Sequence, residues 1–238
     1  MTAPILQSRL PFASWMDPKL SRLPGILPIE GDDWLRVDDA FAGQMAERDR
    51  LFAEKPDLVH GMLDAARPAA EELYAMVLAR LGRTAGYQVG AQVVRRPDGV
   101  TVPLDPAQPM ATLGRLVQED LCLMEKHGDE HVLTAAALCF PASWWLPEKL
   151  GRPLLSIHIP VREYDGDLAK RVQRLFDAIR PEQPLWRANA LVYRDPTLHQ
   201  PRREGDPRTD RRGGSYVRSE RQCLLRLPES RAVVFSIH

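Results

Sequence analysis

The spacing of hydrophobic residues divides the chain into two parts. The N-terminal stretch has no helical or strand periodicity, and the rest of the chain has. Residues 1–33 contain five prolines and only scattered apolar side chains. Prolines at this density disfavour helices and interior strands. We therefore expect an extended arm that wraps on the domain and is held by isolated apolar residues: Phe12, Trp15, Leu20, Leu23 and Ile26.

Helices are expected next. Asp38 or Asp39 can cap a helix that runs to Phe52, and Pro56 stands where another helix can begin. The clearest helix has apolar residues at helical spacing and charged residues turned outward. Its apolar positions are Ala70, Leu73, Tyr74, Val77, Leu78 and Leu81. The same spacing predicts a later helix through Met110, Leu113, Val117, Leu121 and Met124.

Strands dominate the rest of the chain. Alternation or continuous apolar character predicts them over residues 87–95, 100–102, 131–140, 185–193, 216–227 and 232–237. Residues 141–150 read as a loop or a broken helical turn, and residues 154–161 fit a strand or a helix equally well. Residues 168–179 form an amphipathic helix. The polar stretch 195–214, rich in arginine, proline and glycine, is expected to be a mobile loop.

These elements indicate an α+β fold in one domain that spans residues 1–238. A helical N-terminal third packs on a mainly antiparallel sheet with inserted helices. At 238 residues the chain is long enough to bury a sizeable core.

Composition excludes several partners and compartments. Lys plus Arg and Asp plus Glu both total 32, so net charge attracts neither nucleic acid nor an anionic membrane. Cys122, Cys139 and Cys223 form no CxxC pair, which favours a reducing compartment over disulfides, a zinc ribbon or an iron–sulfur cluster. No apolar run is long enough to span a membrane, and the N-terminus resembles no targeting signal. We expect a cytoplasmic protein.

Common catalytic motifs are absent from the sequence. There is no GxGxxG, GxxxxGK[ST], GxSxG or HExxH. Glu119 and Asp120 fall inside the expected helix 110–124, where neighbouring side chains point about 100° apart. We therefore expect them to form a solvated face or a cap rather than an acid–base pair.

His158 and two arginines are candidate binding residues. His158 stands in an apolar run between Ile157 and Ile159, which fits a hydrogen-bonded core histidine or, alternatively, an axial haem ligand. Arg218 and Arg221 flank Glu220 in an expected strand. A guanidinium fork matches a haem propionate, and a salt bridge to Glu220 is the equally simple alternative.

Several sequence blocks, read in order, resemble one family. The region of Trp34, Leu35 and Asp38 belongs to the likeness as well. The blocks are 118–124 (QEDLCLM), 139–144 (CFPASW), 148–153 (EKLGRP), 157–161 (IHIPV), 187–189 (RAN), 218–222 (RSERQ), 224–228 and 234–238. Together they resemble the haem-dependent oxidative N-demethylases.

The resemblance implies a haem b held in a fold like a sensory PAS domain. Such an enzyme uses dioxygen to oxidise an N-methyl group of a small secondary amine such as dimethylamine, and releases formaldehyde. The resemblance makes His158 the candidate metal ligand and Arg218 and Arg221 the candidate propionate contacts. Glu220 or Glu119 would hold the cationic amine or relay protons. His238, His199 and Cys139 remain alternative iron ligands.

Electrons must come from elsewhere if the chain is an enzyme. Oxygen activation at haem needs two electrons per turnover, and the sequence carries no dinucleotide fingerprint and no cysteine cluster. We expect a separate flavin or iron–sulfur reductase, with the 195–214 loop contributing to its docking by charge. A haem-based gas or redox sensor and a haem-free binding domain are the alternative functions.

Overall fold

The computed structural model describes residues 3–21, 25–158, 166–207 and 212–238, and leaves out the side chains at 158 and 166–169. Within these ranges the helices are α1 Phe41–Glu54, α2 Pro56–Val59, α3 Arg67–Leu81, α4 Pro109–Gly114, α5 Leu146–Lys149, α6 Leu154–His158 and α7 Gly166–Ala178. The strands are β1 Leu27–Pro28, β2 His60–Met62, β3 Gln88–Val89, β4 Val93–Arg95, β5 Thr101–Pro103, β6 Asp120–His127, β7 Glu130–Ala137, β8 Leu185–Tyr193, β9 Tyr216–Arg226 and β10 Val233–Ile237.

Seven of these strands form the main sheet, in the order β1-β8-β9-β10-β6-β7-β2. Every neighbouring pair in it is antiparallel. A second, small antiparallel sheet has the order β3-β4-β5. The expected α+β class with a mainly antiparallel sheet is confirmed.

The main sheet has a different helical layer on each face. Because side chains alternate along a strand, Leu121 and Cys223 point to the side covered by α3 and α4. Cys122 and Leu224 point to the side covered by α6 and α7. We call these two sides the α3 face and the α7 face. Odd-numbered residues of β9 belong to the α3 face and even-numbered ones to the α7 face.

The expected helices after the arm are present. α1 begins just after Asp38, whose Oδ1 accepts the Ala40 N–H at 2.9 Å, although the cap position itself is Ala40. Pro56 begins α2. Along α3, Ala70, Leu73, Val77 and Leu81 are buried, as their spacing predicts. The N-terminal third is nevertheless helical only from Phe41 onward, and it also contributes strands β1 and β2.

Two elements differ from expectation. The helix predicted over 110–124 ends at Gly114, and β6 begins at Asp120. Residues Leu121–Met124 are buried on both faces of the sheet. Apolar and polar residues therefore do not alternate along them, as they would in a strand with one exposed face. The strand predicted over 87–95 is two strands, because Gly90 N–H bonds to Val93 O at 2.9 Å and turns the chain.

The remaining elements agree with the sequence. β7, β8, β9 and β10 occupy the predicted strand regions, and α7 corresponds to the predicted amphipathic helix. The ambiguous run becomes helix α6 as far as His158, and its last three residues lie outside the described ranges.

The arm makes partial contact through its apolar residues. Leu20 is buried, and the Phe12 ring meets the Trp186 ring edge-on at 5.4 Å. Trp15 is instead 51% exposed and does not hold the arm. Leu23 lies outside the described residues. Strand β1 extends the main sheet by pairing with Leu185 and Trp186 of β8.

The described part of the arginine-rich loop, residues 195–207, is anchored to the body. Lys149 Nζ lies 2.6 Å from Glu204 Oε1 and donates to Ile157 O at 3.1 Å, which joins the loop, α5 and α6. His199 Nδ1 lies 2.8 Å from Cys139 O. The mobility of this loop stays a prediction, and residues 208–211 lie outside the described ranges.

Among the described residues, no helix combines the length and apolarity needed to cross a bilayer.

Candidate functional site

Polar side chains gather around Glu220 on the α7 face. Its Oε2 accepts from Gln222 Nε2 at 3.1 Å and from Asn189 Nδ2 at 3.4 Å. Arg218 Nε lies 3.4 Å from Oε1, and Glu220 itself is 17% exposed. Asn189 pairs directly with Glu220 between β8 and β9, so antiparallel register places this group. We call Arg187, Asn189, Arg218, Glu220 and Gln222 the Glu220 cluster.

Arg187 has an open donor in this cluster. It sits opposite Gln222 in the sheet, and its buried Nε has no hydrogen-bond partner among the described residues. Burial lowers the pKa of Arg187, and the negative charge of Glu220 opposes that effect. A buried guanidinium is costly to leave unpaired, and its N–H groups match a carboxylate. Arg187 is therefore suited to bind an anion on the α7 face.

Arg218 already has protein partners. Its guanidinium donates to Leu198 O at 3.0 Å and to Phe140 O, and lies 5.9 Å from the centre of the Tyr193 ring. These bonds hold the loop after β8 against the segment after β7. The expected ion pair with Glu220 is present, and the arginine is largely committed to structure.

A second group of titratable side chains lies on the α3 face. His238 Nδ1 lies 2.8 Å from Glu119 Oε1, and its Nε2 lies 2.8 Å from Asp38 Oδ2. Glu119 Oε1 also accepts the Arg36 N–H at 2.8 Å. We call Asp38, His238 and Glu119 the His238 bridge.

The bridge favours a protonated imidazole. Burial lowers the pKa of His238, but the charge of Glu119 and the hydrogen bonds to both carboxylates outweigh burial and raise it to about 9. Burial would raise the pKa of Asp38, and hydrogen bonds from His238 and Gln118 instead bring it well below its ordinary value. His238 is thus a buried cation between two carboxylates at neutral pH.

Glu119 and Asp120 are buried, so the expected solvated face is wrong, whereas the alternative of a cap agrees with the structure because both carboxylates accept backbone N–H groups of neighbouring segments. Asp120 pairs with the fully buried Arg48 at 2.7 Å and accepts the Cys139 and Phe140 N–H groups at 2.7 and 2.9 Å. These contacts join α1 to the end of β7. The two carboxylates serve different groups and form no acid–base pair.

The structure does not bring all the candidate residues together. Arg218 and Glu220 lie on the α7 face, whereas Arg221 and Glu119 lie on the α3 face. Residues three apart on a regular strand point to opposite sides, so Arg218 and Arg221 cannot hold the same ligand edge. His158 ends α6 on the α7 face, and its side chain lies outside the described residues.

The three alternative iron ligands differ in how far the protein already engages them. Both ring nitrogens of His238 face carboxylates. Burial raises the pKa of the Cys139 thiol to about 12, which disfavours the thiolate that a metal would need. Nδ1 of His199 is held at Cys139 O, although its buried Nε2 has no partner among the described residues.

A comparison with known families gives these sites a context. A family model described as haem-dependent oxidative N-demethylase, alpha subunit-like, matches residues 25–238. The chain belongs to this family. The description connects the family with haem, with oxidative chemistry and with an enzyme of more than one kind of subunit.

The α7 face carries residue types that suit a haem. A haem needs one axial protein ligand, an apolar wall and cations or donors for its propionates. The open Nε of Arg187 supplies a donor, and apolar side chains from α6, α7 and the sheet supply the wall: Leu154, Ile157, Phe176, Leu185 and Leu224. Among the described residues no three or more His, Cys, Asp or Glu side chains form a metal group.

Sequence reasoning assigned no binding role to Arg187 or Asn189 and gave Asp38 only a helix-capping role. The sequence signals for the first two are the block 187–189 and their alternation in an otherwise apolar strand, where positions 187 and 189 share a face. Nothing in the sequence indicates that Asp38 meets His238 two hundred residues later.

Proposed function

We propose that this protein is the haem-carrying subunit of an oxidoreductase that removes a methyl group from a small secondary amine such as dimethylamine. One amine, one dioxygen, two electrons and two protons give the shorter amine, formaldehyde and water. The observation that carries the proposal is the buried, partnerless Nε of Arg187 beside Glu220, on the sheet face where α6 ends at His158. Family membership supports the reaction class.

The haem is proposed to lie on the α7 face of a PAS-like sheet. His158 would coordinate its iron, and Arg187 would bind a propionate, with Arg218 beside it. When bound, haem b supplies the iron that binds and reduces dioxygen. Arg221 is left out of this site because it lies on the α3 face.

Glu220 is proposed to hold the protonated amine. A carboxylate that is mostly removed from water attracts a secondary ammonium group through a charge-assisted hydrogen bond. Gln222 and Asn189 fix its Oε2 at 3.1 and 3.4 Å, so the carboxylate is already oriented. The apolar side chains of α6 and α7 would exclude water around the methyl group. Glu119 has no role in amine binding in this proposal, because it lies on the α3 face, across the sheet from Glu220.

A separate flavin or iron–sulfur reductase would deliver the electrons. The segment after β8 presents charged side chains of both signs to solvent, including Arg194, Arg203, Asp195 and Glu204. Val192 and Val217 pair directly and are exposed at the end of β8 and the start of β9, and we propose this apolar pair with its charged surroundings as the docking surface.

The test begins with the visible spectrum of protein expressed with added haem precursor. We expect a Soret band that His158→Ala removes or shifts and that Arg187→Gln weakens through faster haem loss. Glu220→Gln should keep the band but lower kcat/KM for dimethylamine about tenfold or more, measured as formaldehyde released with a chemical reductant or an added reductase. Arg174→Gln, exposed on α7, is the matched control.

The other outcomes separate the alternatives. A stable oxygen complex that releases no formaldehyde would indicate a haem-based sensor rather than an enzyme. A colourless protein that takes up no haem would leave only a haem-free binding domain. Normal turnover by Glu220→Gln would show that Glu220 does not bind the amine.

A further inference from the structure

A cleft of about 860 Å³ lies between the arm and the body on the α3 face. One wall is residues 7–12 of the arm, and the other walls are residues 33–39, the end of α3 and the β9–β10 edge at Arg221 and His238. We call it the arm cleft. The arm is fixed at its rim, because Ser8 N–H donates to Asp39 Oδ2 at 2.7 Å and Phe12 packs on Trp186.

The ionisable side chains of the arm cleft favour an anion. Four arginines and His238 line it, against three aspartates: Arg9, Arg36, Arg80 and Arg221, with Asp33, Asp38 and Asp39. His238 is held between carboxylates as a cation, so the lining is positive at neutral pH. Apolar residues complete the walls, including Leu10, Phe12 and Leu35.

Arg221 is the most buried of these arginines and shares its counter-ion, Asp33, with Arg36. It is only 4% exposed, and its Nε has no hydrogen-bond partner among the described residues. Its other contacts are Cys223 Sγ at 3.0 Å, the Trp186 ring at 4.9 Å and Asp33 Oδ2 at 3.4 Å. Asp33 is already held on both oxygens by Arg36, at 3.1 and 2.5 Å.

We propose that the arm cleft binds a small organic carboxylate, with the carboxylate on the free Nε edge of Arg221 and the apolar body against the arm. A guanidinium can donate two parallel N–H bonds to a carboxylate. Because Arg221 shares its counter-ion with Arg36, one further negative charge is favourable there, and apolar walls at Leu10, Phe12 and Leu35 favour an organic body over a bare inorganic anion. This site is separate from the proposed haem, which lies across the sheet.

Isothermal titration calorimetry on the full chain, expressed with haem precursor, tests the proposal with three probes. Benzoate should bind, and benzamide, its neutral counterpart, and inorganic phosphate should bind at least about tenfold more weakly. Arg221→Gln should raise the Kd for benzoate about tenfold or more, and Arg221→Lys should recover only part of the loss. Arg174→Gln, on the other side of the sheet, should leave the Kd unchanged.

If Arg221→Gln unfolds, a second variant and the visible spectrum still test the carboxylate site. Phe12→Ala leaves Arg221 in place and removes the apolar arm wall together with its contact to Trp186, so it should weaken benzoate binding several-fold. The Soret band should remain in Arg221→Gln. Equal binding of benzamide, a preference for phosphate, or unchanged benzoate binding by Phe12→Ala and Arg221→Lys would each overturn the carboxylate site. Loss of the Soret band in Arg221→Gln, without benzoate binding by the unmodified protein, would assign Arg221 to a haem propionate instead.

Discussion

The His238 bridge shows at the scale of residues how burial and charge set a protonation state. A buried imidazole is ordinarily neutral, because burial penalises the charged form. Here Glu119 and Asp38 each lie 2.8 Å from a ring nitrogen, so two negative charges favour the cation. The bridge joins residue 238 to the segments before α1 and before β6, and its protonation therefore affects how three parts of the chain are held together.

The bridge predicts a loss of stability in alkaline solution. The pKa of His238 in the folded protein, about 9, is above the ordinary histidine value of 6.5. A raised pKa stabilises the folded state fully below about pH 6.5, and this stabilisation is lost as pH rises from there through about 9. We expect the free energy of unfolding to fall by up to about 3 kcal/mol over that range.

Urea unfolding at several pH values measures this effect. His238→Gln should reduce the change in unfolding free energy between pH 6.5 and 9, and His127→Gln, exposed at the end of β6, should leave it as in the unmodified protein. An NMR titration that gives His238 a pKa near 6.5 would contradict the proposed cation.

At the scale of elements, the end of α7 depends on one arginine of β9. Arg226 Nε donates to Ile179 O at 2.7 Å, and its other nitrogens donate to Phe176 O and Arg231 O. The last carbonyl groups of a helix lack partners within the helix, and a cation there also complements the helix dipole. Arg226 therefore fastens α7 to the sheet.

We expect Arg226→Met to destabilise α7 more than the rest of the molecule. Several carbonyl groups would lose a charged donor in a buried place, at a total cost of about 2–3 kcal/mol. Hydrogen exchange should speed up at the C-terminal end of α7 and remain nearly unchanged in α3. Arg174→Met, exposed on α7, provides the control. Equal changes in both helices would show that Arg226 supports the whole fold rather than this helix.

At the scale of the whole molecule, helices α1 and α4 and the main sheet pack closely together at Gly114. A Cβ atom there would lie 2.6 Å from Phe52 Cε2 and 3.0 Å from Ala137 Cβ. Gly114 ends α4, Phe52 belongs to α1 and Ala137 to β7, so two helices and the sheet meet at a position without room for a side chain.

Gly114→Ala should therefore destabilise the protein by about 1–3 kcal/mol, because overpacking displaces neighbouring groups. Gly82→Ala is the matched control. Its Cβ would meet nothing closer than 3.6 Å, and a change between about −0.5 and +0.5 kcal/mol is expected. Urea midpoints of the two variants give the comparison, and similar losses in both would contradict the close packing at Gly114.

The sequence by itself determined the elements whose pattern is set by one buried face. α3 and the amphipathic α7 have a buried and an exposed side, so their apolar spacing was readable, and the long strands β8 and β9 were recognised by composition and alternation. β6 was misread as helix because both of its faces are buried. The ordered blocks also identified the family, which the family model confirms.

The pairing of functional side chains was decided by tertiary structure alone. Strand register places Asn189 opposite Glu220, and alternation separates Arg218 from Arg221 although they are close in sequence. Asp38, Glu119 and His238 meet because three distant segments converge beside the sheet. Local sequence specifies which face a residue takes within its own element. Which other residues share that face depends on contacts between elements, and those form only when the chain folds.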